Sequence, residues 1–361
     1  MDAMTTCFRP DPGTSTARPI TLALEGGGSL GAFVWGVLDR LLEVPDLRIT
    51  VVSGTSAGAI NGAMLVQGLA TGGPPAAQRL LETFWRRVAI ATGSLPGPFS
   101  NWWHLIAGAM APAVDVVRHA GTALSPGVGR TGINPLRGIL TELLNRPAFG
   151  CPGVPELVVA ATRVRTGAVR LFRGAEVSVD ALLASACLPQ LFPPVEIEGE
   201  AYWDGGYTSN PPVRPLIEAG APADVLIVRT QPLERLGTPS GAVAVQERVN
   251  EITFGSALRG ELRTLALAQA LLAGVADLPA PLVRLRDARV HMIGAEAEFQ
   301  AMPGGSRQDP TWAFLSDMHE LGVVAADRWL AENLALVGTR SSFDLSLLEG
   351  LDGRTPTRRR D

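Results

Sequence analysis

The run Ile20-Thr21-Leu22-Ala23-Leu24, followed almost at once by Gly26-Gly27-Gly28, constrains this chain more than any other segment. A short apolar run of this kind reads as a strand buried on both faces, and such strands belong to parallel sheets covered by helices. Three glycines in a row leave no Cβ at the turn, so the chain can reverse tightly into Ala32–Leu42. There Phe33, Val37 and Leu41 recur at helical spacing. Arg48–Val52 is a second strand ending in Ser53-Gly54-Thr55-Ser56, and Ala57–Leu69 is a helix of small residues. Strand, loop, helix, strand, sharp turn and helix open an α/β fold with a parallel sheet.

The spacing Gly26, Gly28, Gly31 also satisfies the dinucleotide fingerprint G-x-G-x-x-G. That use requires an acidic residue at the end of the second strand to hold a ribose. Ser53-Gly54-Thr55-Ser56 stands there instead, so the dinucleotide reading fails. Gly54-x-Ser56-x-Gly58 between a strand and a helix is a nucleophile elbow, a turn so sharp that the neighbours of the serine must be nearly side-chain-free. It places Ser56 at a helix N-terminus, where negative charge is favoured. Alone, the same pattern is a helix start with Ser56 as cap. One βαβ step after a triple glycine, it points to a nucleophile. The amides of Gly27 and Gly28 then become candidate oxyanion donors, while Gly31 also fits plain helix packing.

A serine hydroxyl needs a base. The four histidines, His104, His119, His291 and His319, lack any loop or turn signature. Asp204 ends a predicted hairpin strand and is followed by Gly205-Gly206, which leaves it on a loop with little steric cover. Glycines after Asp also signal a simple turn. Beside the other motifs, a carboxylate acting directly on Ser56 as a Ser–Asp dyad is the preferred reading. Two alternatives stand beside it. One is an α/β-hydrolase triad in the order Ser56, Asp204 and His291 or His319. The other is a protein that binds a lipid or a partner without catalysis.

The 361 residues are 46% hydrophobic and 18% charged with a formal charge of −4, and every basic side chain is Arg. Such a chain has a sizeable core and no basic field for nucleic acid. Cys7, Cys151 and Cys187 are few, odd in number and scattered, so neither a disulfide framework nor a zinc site is expected. No apolar run reaches the ~20 residues of a membrane span, and the N-terminus lacks a signal-peptide core, which sets a cytoplasmic expectation.

Further along, Asn134-Pro135 and Ser178 are read as helix starts, and 157–161 with 168–172 and 195–197 with 201–203 as hairpins. Thr71–Ala76 reads as a linker, 225–228 as a buried strand, 249–275 as a long helix, and 282–293 as a strand or two. Asp309-Pro310 opens a last helix. The expected organisation is a leader over 1–18, a catalytic domain over 19–235, a mostly helical C-terminal extension over 236–350, and a tail over 351–361.

The segments LALEGGGSLGAFVWGVL, VVSGTSAGAINGAML and FPPVEIEGEAYWDGGYTSNPP resemble the patatin-like phospholipases over roughly residues 19–230. The resemblance implies a three-layer α/β/α sandwich with a mainly parallel central sheet, here with a C-terminal helical extension. It implies lipid acyl hydrolysis without metal or cofactor, with Ser56 as nucleophile, Asp204 as its partner and Gly26–Gly31 as oxyanion loop. Lipid or another apolar ester is the implied substrate, with transient contact at a membrane surface, and the oligomeric state stays open. Leu30 departs from the pattern, since many members carry Arg or Lys there. Trp102 and Trp103, flanked by Gly/Pro-rich stretches, read either as a mobile lid or as a helix packed on the sheet. Arg163 and Arg165 read as solvated sheet-edge residues or as neighbours of a head-group phosphate.

Overall fold

A computed structural model describes residues 17–92, 134–144 and 146–350. The leader up to residue 16, the Trp102–Trp103 segment, His104, His119 and the tail from 351 lie outside the described residues. Among those described, eight strands form one sheet: β1 (Arg18–Leu24), β2 (Leu47–Thr55), β3 (Glu156–Arg163), β4 (Val169–Arg173), β5 (Val195–Ile197), β6 (Glu200–Asp204), β7 (Asp224–Val228) and β8 (Arg289–Ile293). Their hydrogen-bonded order is β5-β6-β3-β2-β1-β7-β8, with β4 also on β3. Neighbours from β3 through β2, β1 and β7 to β8 are parallel, and the β3–β4, β3–β6 and β5–β6 pairs are antiparallel. All five residues of β7 and the last five of β1 and β2 are buried, as expected of strands covered on both faces.

Helices cover the sheet as α1 (Gly31–Leu41), α2 (Ala57–Ala91), α3 (Pro135–Leu143), α4 (Val179–Ser185), α5 (Arg214–Ala219), α6 (Ala242–Leu272), α7 (Ala280–Asp287), α8 (Glu296–Ala301) and α9 (Trp312–Asn333). The Asn134 and Ser178 side chains accept from Leu136 N and Ala181 N, so both predicted starts are formed. Thr71–Ala76 is a kink inside α2 rather than a linker: Gly72 and Gly73 leave helical geometry, and Pro74-Pro75 restarts the helix. Residues 280–287 are helical where a strand was expected, and only 289–293 pair with β7.

The region beyond 236 is built onto the same core. Its β8 extends the sheet, and its α9 lies against α1 backbone to backbone. A Cβ at Gly36 would run into the His319 carbonyl, and one at Gly322 into the Phe33 carbonyl. Cys187 is buried with its thiol donating to the Pro193 carbonyl at 3.1 Å, and Cys151 is disulfide-bonded. No helix among the described residues is long and apolar enough to cross a membrane.

One detail of register positions the site. β4 pairs with β3 over residues 158–162, so β2, paired with 156–160, and β6, paired with 161–163, both occupy the other edge. β2 stops at Thr55 opposite Ala160, and β6 stops at Asp204 opposite Ala161. The two strand ends therefore meet head to head on consecutive residues of β3, and Ser56 and Asp204 emerge at the junction.

Candidate active site

Ser56 adopts φ 54° and ψ −125°, and only Glu198 shares a positive φ among the described non-glycine residues. Such a conformation costs about 1–3 kcal/mol and persists only where surrounding contacts impose it. Those contacts are explicit. Thr55 Oγ1 donates to the Ser209 carbonyl at 2.7 Å, Ser53 Oγ to the Pro212 carbonyl at 2.9 Å, and Ser56 N to Ser185 Oγ at 2.9 Å. Gly58 lets the start of α2 press on the end of β1, where any Cβ would strike the Leu24 carbonyl.

The glycine loop crosses over this elbow. A Cβ on Gly26 would lie 2.7 Å from the Thr55 carbonyl oxygen and 2.8 Å from Ser56 Cβ. Gly26 N donates to Asn210 Oδ1 at 2.8 Å, and its carbonyl accepts from Thr230 Oγ1 at 2.9 Å. The Gly26 amide is thus committed to Asn210, while no described group takes the amide hydrogens of Gly27 and Gly28. Gly31 packs on Ala57, as its helix-packing reading expects. Below the loop, Glu25 is fully buried. It accepts from Thr230 N at 2.7 Å and Gln231 Nε2 at 3.2 Å, and burial raises its pKa.

Asp204 is buried at 2% exposure. Its Oδ1 accepts from Gly206 N at 2.7 Å, and the Ser56 hydroxyl lies near its carboxyl. Burial pushes its pKa up to about 7, against the lowering effect of the Gly206 amide, the Ser56 hydroxyl and the Arg307 charge. The glycines after it are needed for fit: a Cβ on Gly205 would strike the Ala160 carbonyl, and one on Gly206 the Phe254 ring. Above Ser56 opens a cavity of about 200 Å³, lined by apolar side chains of α2, α3 and residues 188–192, including Ile60, Phe84, Trp85, Leu136, Leu191 and Phe192. Ser56, Asp204, Gly26, Gly27 and Gly28 form its polar floor.

Other expected residues lie elsewhere. His291 is fully buried with Nε2 3.0 Å from Asp224 Oδ1, at the opposite end of the sheet, and His319 Nε2 is 2.9 Å from Asp39 Oδ2. No described histidine approaches Ser56, so the triad alternative has no third member there. Arg163 and Arg165 both face Glu200, at 3.5 and 2.9 Å, on the sheet edge. Among the described residues, no group of three or more His, Cys, Asp or Glu is placed to hold a metal ion. Asn210, Ser185 and Arg307 are the site residues that sequence reading missed. Asn210 lies in the quoted Ser-Asn-Pro-Pro segment, but nothing local ties it to a loop 184 positions earlier.

A family model described as patatin-like phospholipase matches residues 22–217. No curated protein sequence matches the chain. Among solved structures, VipD from Legionella pneumophila is similar with 16% identity and a TM-score of 0.39, covering 88% of this chain and 67% of that one. The matched span runs from β1 into α5 and holds the elbow, the glycine loop and Asp204; the chain belongs to the patatin-like phospholipase family.

Proposed function

We propose that the chain is a serine acyl hydrolase that cleaves lipid or other apolar esters through a Ser56–Asp204 dyad. The observation that carries this reading is the placing of the strained Ser56 and a buried carboxyl, whose pKa lies near neutrality, at adjoining strand ends on one apolar cavity. A general base works best when its pKa lies close to the operating pH. Ser56 Oγ attacks the ester carbonyl carbon while its proton passes to Asp204. The resulting oxyanion accepts hydrogen bonds from the free amides of Gly27 and Gly28, donors of a kind worth about 10²–10³ in kcat each. Collapse breaks the C–O bond, and the departing alcohol takes the proton from Asp204. Water then attacks the acyl-enzyme, giving its proton to Asp204, and the second collapse releases the acid and restores the Ser56 hydroxyl. The apolar cavity holds the acyl chain.

The test is hydrolysis of p-nitrophenyl butyrate and palmitate by the wild type, Ser56→Ala and Asp204→Asn, with folding checked by circular dichroism. Both folded variants are expected to lose roughly 10⁴-fold or more in kcat. A fluorophosphonate should label Ser56 in the wild type alone. A wild type that neither turns over an ester nor takes the label would instead be a binding protein on this fold.

A further inference from the structure

Arg307 belongs to the turn between α8 and α9, in the C-terminal region, yet it sits at the catalytic end of the sheet. Its backbone carbonyl and Cγ press on Gly28, where a Cβ would lie 2.6 Å from the former. It lines the same cavity as Ser56, Asp204 and the glycine loop, where it is the one cation among the described lining residues, and it also borders a small cavity shared with Glu247 and Glu251. Glu25, Glu251, Glu247 and Asp204 all act on its charge, against a burial that disfavours that charge. None of the four comes within ion-pair distance, because each is engaged elsewhere. Glu251 holds Arg235 and Arg248, Glu247 accepts from Gly305 N, Glu25 from Thr230 and Gln231, and Asp204 from Gly206. The Arg307 guanidinium donates no hydrogen bond to a described residue. Arg307 is half-buried, and a partly desolvated fork of five N–H donors is costly until it meets an acceptor; its geometry suits the paired oxygens of phosphate or carboxylate.

We propose that Arg307 is a specificity-determining residue, which pairs with a phosphate-type anion carried on the alcohol side of the scissile ester. The proposal rests on the acyl hydrolase reading above. The cavity wall formed by α2, α3 and residues 188–192 is mostly apolar and takes the acyl chain, so the charged end of a substrate is directed to the glycine-loop side, where Arg307 lies. The C-terminal region thereby completes the substrate site.

The test is a matched pair of substrates, hexanoylglycerol and its 3-phosphate, which differ only in the anion. The reading is the ratio of their kcat/KM values on the alkaline plateau, where Asp204 is ionised in every variant and any common loss cancels. The wild type is expected to favour the phosphate ester, and Arg307→Met to reduce that ratio about 10- to 100-fold. Arg307→Lys, which keeps a point charge without the fork, should fall between them. A ratio unchanged in Arg307→Met, or an equal fall in both variants, overturns the proposal. Glycerol 3-phosphate and inorganic phosphate, tried as inhibitors of p-nitrophenyl butyrate hydrolysis, separate the sources: inhibition by the former alone assigns the site to an esterified phosphate, and inhibition by both assigns it to phosphate as such. Inhibition by neither overturns the proposal. A wild type inactive on every ester and unlabelled by fluorophosphonate overturns the underlying reading instead.

Discussion

The two ends of the sheet hold the same kinds of side chain in opposite conditions. At the N-terminal ends of β7 and β8, Ser342 Oγ lies 3.0 Å from His291 Nδ1, and His291 Nε2 lies 3.0 Å from Asp224. Asp224 also receives Arg289 through both oxygens, at 2.9 and 2.7 Å, and Gly338 N at 2.8 Å. Burial opposes its ionisation, but the hydrogen bonds from His291 and Arg289 hold its carboxyl well below the usual range. At the other end, Asp204 has few donors, its pKa is raised, its serine is strained, and two backbone amides face a cavity with no partner. A serine, histidine and aspartate in line are thus no sign of catalysis where every lone pair is met and no cavity opens. The end we propose as reactive is the one whose polar groups are left incompletely satisfied.

The sharpest way to break this comparison is to neutralise each aspartate in turn. Asp204→Asn should abolish turnover by roughly 10⁴-fold while the fold persists. Asp224→Asn should cost about 3 kcal/mol of stability while each folded molecule keeps its kcat. Esterase assays normalised to folded protein by thermal melts check both. A surviving activity in Asp204→Asn, or a lost kcat in folded Asp224→Asn, would exchange the roles assigned to the two ends.

The pH response sharpens the contrast. Asp204 must be ionised to act, so kcat/KM should rise with pH and level off above about 7. Its folded-state pKa is raised, so its contribution to stability is full below the ordinary carboxylate value and is lost as pH rises through about 7. Asp224 has the opposite sign: its stabilisation is present above the ordinary value and disappears as pH falls through its lowered one. Between pH 3 and 9, Asp224→Asn should therefore fall further below the wild type in melting temperature as pH rises, whereas Asp204→Asn should gain on it as pH rises towards and past about 7. The smallest expected effect is that of Asn210→Ala. It frees the Gly26 amide and leaves a buried donor unpaired, which costs about 1–3 kcal/mol. A fall in kcat without change in KM for a soluble ester would mark the loop as a transition-state element.

The parts legible in the sequence are those whose geometry makes local demands. The elbow forces glycine at 54 and 58, the loop forces glycine at 26–28, and the hairpin 195–203 announces itself through Glu198-Gly199, both at positive φ. Asp204 could be found because the close approach of Ala160 and Phe254 requires glycine at 205 and 206. Asn210, Ser185 and Arg307 act on residues far away in the chain, and no neighbouring position registers that distance. Residues 280–287 were misread because Leu282, Val283 and Leu285 suit a strand as well as a helix, and only their packing beside α6 decides between them.

The head-to-head meeting of β2 and β6 on β3 has a consequence for how this site tolerates change. The proposed nucleophile and its carboxylate are spaced by two successive rungs of one strand, Ala160 and Ala161, rather than by the length of any loop. Extra residues at the exposed Glu198-Gly199 turn would extend the hairpin outward and leave the pair intact. One residue added between Glu200 and Asp204 would turn the carboxylate to the opposite face of the sheet. Within the excursion between Ser56 and Asp204, the connections outside β3, Ser185 and the cavity wall are therefore free to vary in length, provided the last five residues arrive in step.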